Sequence, residues 1–236
     1  METDPEREGV GPAGLVLAEL YRAHADLGRE RQAACAPGCA TCCRDRVQLT
    51  TLEAARLVEH LRRQGRADLL ETLARPQPKD APRPAWSMNA LARMCLARQE
   101  PPPEPDPPPA GPCPLLGDGL CQAYQARPLA CRAMASRRRC APDGQADQDP
   151  WWVCLDVVFF QLVEQADAGG GFGYLGPVLA HVLGEPAQGL VTCENLAGLP
   201  VPPQYQARMQ AVLGPIFARQ VAGQPLGLRL EALRRG

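Results

Sequence analysis

Eleven cysteines in a chain of 236 residues constrain this protein more than any other feature. Four of them fall within nine residues: Cys35, Cys39, Cys42 and Cys43. The stretch also contains Pro37 and Gly38, so it cannot be regular helix. Spacings of two or three residues allow a tight turn to direct several thiolates at one metal centre. Cysteines that serve only as small apolar side chains fit poorly in such a loop, so the segment predicts a metal site.

Two of these cysteines, Cys42 and Cys43, are adjacent in the chain. Adjacent side chains rarely converge on one small ion. Either one of the two thiols points elsewhere, or the centre contains several metal atoms. Thiolates bind both zinc and iron–sulfur clusters, so ligand type does not decide between them. The adjacent pair, and the excess of cysteines over the four that tetrahedral zinc needs, slightly favour a cluster.

A second group of cysteines begins about 70 residues after the first: Cys113, Cys121, Cys131 and Cys140. The sequence Gly117-Asp118-Gly119 predicts a turn that folds Cys113 back toward Cys121. The Arg-Pro pair at 127–128 predicts an extended approach to Cys131. We expect the two groups to share one site, because a shared site explains why two turn-like thiol groups occur in one chain.

These residues resemble the bacterial YkgJ-like cysteine-cluster family, described as zinc- or iron-chelating domains. The family pattern is C-x2-C-x2-C-C, followed by C-P and then C-x-x-Y-x-x-R-P-x-x-C-R. The matching residues are Cys39, Cys42, Cys43, Cys113, Cys121, Tyr124, Arg127, Pro128, Cys131 and Arg132. The spacing from Cys35 to Cys39 departs from the pattern by one residue. The resemblance covers residues 35–140 and implies metal binding without a single reaction, although a larger relative is the flagellin lysine methylase.

Three residues near the second group are expected to support the metal centre without binding it: Tyr124, Arg127 and Arg132. Four thiolates around Zn²⁺ leave a net charge of −2, which nearby arginines would offset. Of the arginines in this region, Arg132 directly follows a proposed ligand and is the better candidate. A guanidinium at this position can also donate hydrogen bonds to sulfur or to backbone carbonyls.

Composition limits the compartment and the partners. The chain has 25 basic and 26 acidic residues, so no general attraction to nucleic acid or to an anionic membrane is expected. Residues 1–9 are acidic and polar, unlike a secretion signal, and the apolar runs are too short to span a bilayer. We therefore expect a cytoplasmic protein, in which a reducing environment favours metal ligation over disulfides.

Outside the cysteine groups, the sequence predicts a mainly α-helical fold in which irregular cysteine-rich loops pack on a helical bundle around the metal site. Periodicity predicts a first helix that ends near Gly28 and a strongly buried helix from Trp151. A capping box at Thr50 and Glu53 opens another helix. The last long helix is expected over 204–221, with a kink at Gly214-Pro215.

We expect the chain to form three regions that pack as one domain. They are an N-terminal helix (1–34), a cysteine-cluster region (35–145) with a proline-rich linker (101–112), and a C-terminal helical region (146–236). The glycine-rich stretch 169–173 follows a helix, so a flexible connector is favoured over a nucleotide-binding loop. The remaining cysteines are expected to pack in the interior: Cys95, Cys154 and Cys193.

The sequence therefore predicts a cytoplasmic metal-binding protein whose reaction is unknown. No acid–base pair, nucleophile triad or phosphate loop is evident, so the sequence does not indicate whether the protein is an enzyme. The first alternative is an iron–sulfur enzyme for redox or group-transfer chemistry, such as methylation. The second is a zinc-stabilised interaction module. Cys35-x3-Cys39-x2-Cys42 also matches the spacing of radical S-adenosylmethionine enzymes, but this chain cannot build their partial β/α barrel.

Overall fold

The computed structural model describes residues 11–36, 38–75, 83–103, 110–141, 146–186 and 188–234. Within these ranges the fold is mainly helical with short strands, as the sequence predicts. The helices are α1 (Pro12–Gly28), α2 (Thr51–Arg63), α3 (Ala67–Leu73), α4 (Met88–Leu96), α5 (Leu129–Ala133), α6 (Pro150–Ala166), α7 (Leu175–Val182), α8 (Gln206–Phe217) and α9 (Leu226–Ala232). None of them is both long and apolar enough to cross a bilayer.

Local sequence signals explain where several helices begin. The α2 helix opens with the predicted capping box: Thr50 Oγ1 accepts from Glu53 N, and Glu53 accepts from Thr50 N. The α6 helix has Asp149 as its N-cap and Pro150 in its first turn. The last long helix is shorter than predicted. It ends at Phe217, two residues after Pro215, and the chain then enters a hairpin.

Among the described residues, the strands form three small antiparallel sheets. Strand β4 (Gly171–Tyr174) lies between β1 (Gln48–Thr50) and β5 (Val191–Thr192). Strands β2 (Leu116–Gly117) and β3 (Leu120–Cys121) form one hairpin, and β6 (Gln220–Val221) and β7 (Gln224–Pro225) form another. The β1–β4 pairing connects the start of α2 to the segment that follows α6.

The prediction of a flexible connector at 169–173 is wrong, because residues 171–173 form part of the central strand of this sheet. The glycines permit close packing. A Cβ on Gly173 would lie 3.1 Å from both Gly189 O and Val178 Cγ2, and a Cβ on Gly171 would lie 2.6 Å from Leu190 Cδ2. Glycine in this strand therefore marks a close approach of neighbouring segments.

Two apolar clusters form the core, and the cysteine-rich segments lie against both. The first cluster unites α1, α6, α8 and α9 and includes Leu129 of α5. The second unites α2, α3 and α7 and includes Leu115 and Ala123. Each of these three residues lies close in sequence to a cysteine of the second group. Burial of these apolar side chains therefore holds the cysteines at the boundary between the two clusters.

The three cysteines expected in the interior have different environments. Cys193 is 2% exposed, and Cys154 packs partly buried against the first cluster. The prediction for Cys95 is wrong, because Cys95 is exposed on α4. The face of α4 that packs inward carries Asn89 and Ala92 instead.

Candidate metal centre

The first cysteine segment is irregular and turns sharply. Gly38 adopts φ = +83°, a left-handed conformation that favours glycine. Cys39 N donates to Ala36 O, and Cys43 N donates to Ala40 O, each at 3.0 Å. These two successive turns present the thiols of the segment from a compact stretch of backbone, as the Pro/Gly composition predicts.

The second segment pairs with the first through its backbone. Cys113 N donates to Cys43 O at 3.1 Å, and Arg44 forms an antiparallel bridge with Pro112. Asp45 adds two bonds, because its N–H donates to Gly111 O and its Oδ1 accepts from Gly111 N. The end of the proline-rich stretch is therefore the strand-like element that joins the two cysteine groups.

The predicted turn at 117–119 is a β-hairpin. Asp118 and Gly119 have φ values of +51° and +74°, and Leu116 pairs with Cys121 across the hairpin. Two positive φ values at the centre of a two-residue loop are typical of a tight hairpin turn. The hairpin returns the chain toward Cys113, so the turn places Cys121 on the same side of the fold.

Seven cysteines line one cavity of about 1010 Å³: Cys35, Cys39, Cys42, Cys43, Cys113, Cys121 and Cys131. Cys140, an eighth candidate ligand, is partly buried but is not part of this lining. The rest of the lining includes apolar residues such as Val157 and Phe160 of α6. Thiols from segments far apart in the sequence thus border a single space.

The thiols that line the cavity influence one another electrostatically. Burial, followed by the charge of Cys113 and Cys121, raises the pKa of Cys43. Burial and the charges of the same two cysteines raise the pKa of Cys131 to about 12, and the guanidinium of Arg127 opposes the rise at both positions. These effects define a first subset of neighbouring thiols: Cys43, Cys113, Cys121 and Cys131.

The other cavity thiols form a second subset around Cys42. Burial raises the pKa of Cys42, with further contributions from the charges of Cys43, Cys35 and Cys39. Cys35 is exposed, and its Sγ accepts a bond from Ser136 N at 3.5 Å. The thiols of the adjacent cysteines are hydrogen-bonded to each other, but their other electrostatic neighbours differ. Cys43 faces the second segment, while Cys42 lies among the other thiols of the first segment.

The donor set fits a thiophilic metal. Sulfur donors are the ligands that zinc and iron–sulfur clusters share, and a cation would offset the repulsion among several thiolates. Across the described residues, no three Cys, His, Asp or Glu side chains already stand in the arrangement of a metal site. Metal binding would therefore require the thiols on the cavity wall to turn toward the ion, which couples binding to local ordering.

The two motif arginines occupy different environments. The guanidinium of Arg127 stacks 3.5 Å from the centre of the Tyr124 ring, and its Nε donates to Tyr124 O. Arg132 does not line the cavity; it donates to Arg127 O at 2.7 Å and to Gln125 O at 2.6 Å, and it lies over the Tyr21 ring. In these positions Arg127 acts on the thiols through its charge, whereas Arg132 fastens the backbone between Cys121 and Cys131.

The sequence does not indicate the role of two residues, Glu53 and Tyr21. Tyr21 Oη donates to Glu53 Oε1 at 2.6 Å, and Leu129 N donates to the same oxygen at 2.8 Å. Glu53 is explained locally by its capping box, and Tyr21 by the apolar face of its helix. Neither pattern indicates that the two side chains meet beneath α5.

A buried cluster of polar side chains, formed by His24, Arg31 and Asp156, connects α1 and the residues after it to α6. His24 Nε2 lies 2.8 Å from Asp156 Oδ1, and Arg31 Nη2 donates to Asp156 Oδ2 at 2.5 Å. Arg31 also donates to Ala133 O, the last residue of α5. These bonds fix the end of α5 against α6, on the wall of the cavity to which Asp156 contributes.

Comparison with known proteins identifies the cysteine-rich part of the chain. The model of a family described as CxxCxxCC, a putative zinc- or iron-chelating domain, matches residues 34–154. The match spans both cysteine groups and extends into α6. Neither the curated proteins nor the solved structures contain a match.

Proposed function

The chain belongs to the CxxCxxCC family of zinc- or iron-chelating domains, and we propose that it is a cytoplasmic protein that holds zinc or an iron–sulfur cluster through thiolates from both of its cysteine groups. The observation that carries this proposal is the single cavity bordered by seven thiols from two sequence-distant segments. Burial raises the pKa of several of these thiols, and a bound cation would stabilise the ionised form that metal ligation requires.

We assign the principal ligands to the first subset: Cys43, Cys113, Cys121 and Cys131. Backbone pairing brings Cys43 to Cys113, and the hairpin returns Cys121 to the same side. Four thiolates are the complete ligand set of a structural zinc ion or of a four-cysteine cluster. When bound, the metal would supply positive charge that holds the two segments together.

The second subset, with Cys42 at its centre, favours iron–sulfur over a single zinc ion. Three further thiols beside a complete set of four exceed what one tetrahedral ion can use. A multinuclear centre, or a second centre, would use Cys35, Cys39 and Cys42. Cys140 lies outside the cavity lining and is the weakest member of the proposed ligand set.

One observation favours an iron–sulfur enzyme as a second candidate function. The cavity extends from the thiols to Val157 and Phe160, and its volume of about 1010 Å³ is that of a site for an organic ligand. A metal site with only a structural role does not need a cavity of this size beside it. A zinc-stabilised interaction module, the remaining alternative, would have no use for an apolar chamber beside the metal.

Anaerobic purification followed by elemental analysis and visible spectroscopy tests the proposal. Iron, sulfide and a brown colour identify a cluster, whereas a colourless protein with about one zinc or more per chain identifies zinc. Cys43→Ser and Cys131→Ser should lower metal content, while Cys193→Ser and the exposed Cys95→Ser serve as matched controls that should not. Metal-free protein under all conditions, or equal metal content in the four variants, would contradict the proposal.

A further inference from the structure

We propose that Glu53 is a positioning residue of the metal centre, which holds in place the short helix that carries Cys131. The inference rests on the proposed function, and it concerns a carboxylate that lies outside the cysteine motifs. Glu53 belongs to α2, yet its contacts reach α1 and α5 as well as its own helix.

Glu53 is 4% exposed, and its carboxylate accepts three hydrogen bonds. Its Oε2 accepts from Thr50 N at 2.9 Å, which completes the capping box. Its Oε1 accepts from Tyr21 Oη at 2.6 Å and from Leu129 N at 2.8 Å. A capping box requires only the bond to Thr50. The two remaining bonds join Glu53 to residues 32 and 76 positions away in the sequence.

The bond to Leu129 matters because α5 is too short to be stable without contacts to the rest of the protein. It contains five residues, and its N-cap, Pro128, offers no side-chain hydrogen bond. A helix of this length is unstable in isolation, and its first N–H groups have no intrahelical acceptor. A buried carboxylate at this end accepts a hydrogen bond from one of these N–H groups and interacts favourably with the positive end of the helix dipole. Cys131 follows two residues later, so its position depends on this anchor.

A second contact holds the other side of Cys131 to the same pair of residues. The guanidinium of Arg132 lies 4.5 Å from the centre of the Tyr21 ring, whose hydroxyl donates to Glu53. Cys131 is therefore bracketed, with Leu129 bonded to Glu53 on one side and Arg132 stacked on Tyr21 on the other. This bracket restricts the backbone at Cys131, while its side chain can still rotate toward a metal ion.

The alternative is that Glu53 only caps α2. Thr50, the other residue of the capping box, provides the control for this alternative. Thr50→Ala removes the other half of the same capping box without touching Leu129 or Tyr21. Glu53→Gln keeps the shape of the side chain but removes its negative charge, so the bond from Leu129 N and the interaction with the helix dipole weaken in either orientation of the amide. Both variants should lower the thermal midpoint, whereas only Glu53→Gln should loosen α5.

Two readouts on the full chain separate these cases. In the metal-loaded protein as purified, Glu53→Gln should release metal to a chelator roughly 10–100 times faster than the parent, as expected when a group that supports a ligand is lost. Thr50→Ala should release metal at close to the parent rate. In the metal-free protein, iodoacetamide should alkylate Cys131 faster in Glu53→Gln than in Thr50→Ala, measured by peptide mapping.

If the parent proves to contain no metal, the proposed function fails and the alkylation rates alone decide the role of Glu53. Should Glu53→Gln not fold, Tyr21→Phe removes one of the bonds to the carboxylate while keeping the ring beneath Arg132, and it should increase both rates to a smaller extent. Equal release and equal alkylation in Glu53→Gln and Thr50→Ala would overturn the proposal and reduce Glu53 to a helix cap.

Discussion

Asp156 binds two buried donors, so its substitution tests how the end of α5 is held to the helical core. His24 Nε2 lies 2.8 Å from one carboxylate oxygen, and Arg31 Nη2 lies 2.5 Å from the other. The side chains of His24 and Arg31 are each 8% exposed, and that of Asp156 is 5% exposed. Water therefore cannot take the place of the carboxylate if it is removed.

Asp156→Asn leaves the buried guanidinium of Arg31 without a counter-charge. Loss of one partner from a buried ion pair costs about 3–5 kcal/mol, since the remaining charge stays desolvated. Asparagine retains one oxygen acceptor, so we expect a loss near the lower limit, about 3 kcal/mol of unfolding free energy. For a chain of this size that loss corresponds to a fall in melting temperature of roughly 6–12 °C.

Thermal and urea unfolding followed by circular dichroism measure the effect, with Asp26→Asn as the matched control. Asp26 pairs with Arg29 and Arg219 at 3.3 and 3.0 Å, but its side chain is 36% exposed. Exposed pairs of this kind contribute about 0–1 kcal/mol. If Asp156→Asn costs no more than Asp26→Asn, the buried pair is not a significant source of stability and the reasoning is refuted.

Three further predictions follow from single residues. Arg132→Gln should cost about 1–3 kcal/mol, because two backbone carbonyls lose a charged donor; an unchanged urea midpoint would contradict the anchoring role. Burial raises the pKa of Asp167 in the folded state. The parent should therefore lose stability relative to Asp167→Asn as pH rises from about 3.9 through the raised pKa. If the difference in unfolding free energy between the two proteins does not change with pH, this prediction is wrong. Gly173→Ala should destabilise the protein by about 1–3 kcal/mol in urea unfolding, because its Cβ would meet neighbouring atoms at 3.1 Å; an unchanged urea midpoint would contradict the close approach.

Features that depend only on residues close together in the chain were predictable from the sequence. The capping box at Thr50 and Glu53, the turn at 117–119 and the end of the first helix at Gly28 all occur where the local pattern indicates. The capping box depends on contacts between residues three apart, and the turn depends on the positive φ values at Asp118 and Gly119. The cysteine spacing likewise predicted thiol-bearing turns, because short spacings restrict what the backbone can do.

Predictions failed where a residue's environment depends on segments distant in the sequence. The glycines at 171 and 173 indicate a flexible connector when taken alone, but their lack of a Cβ admits Leu190 and Gly189 and produces a strand. Cys95 lies in a helix of apolar residues, yet the packing of α4 against α6 places Asn89 inside and leaves Cys95 exposed. Periodicity identifies an apolar face, but the neighbouring element selects the side that is buried.

The sequence by itself determined the mainly helical class, the thiol-rich segments and the chemistry that such donors favour. Only the tertiary structure decided that Cys43 lies beside Cys113, that Arg132 packs on Tyr21, and that Glu53 holds Leu129. Residue types and short spacings set local conformation and donor chemistry, whereas pairings across 70 residues or more depend on which apolar surfaces are buried together. That choice is made by the whole chain as it folds, since loop closure is entropically costly and only the combined burial of the core offsets it.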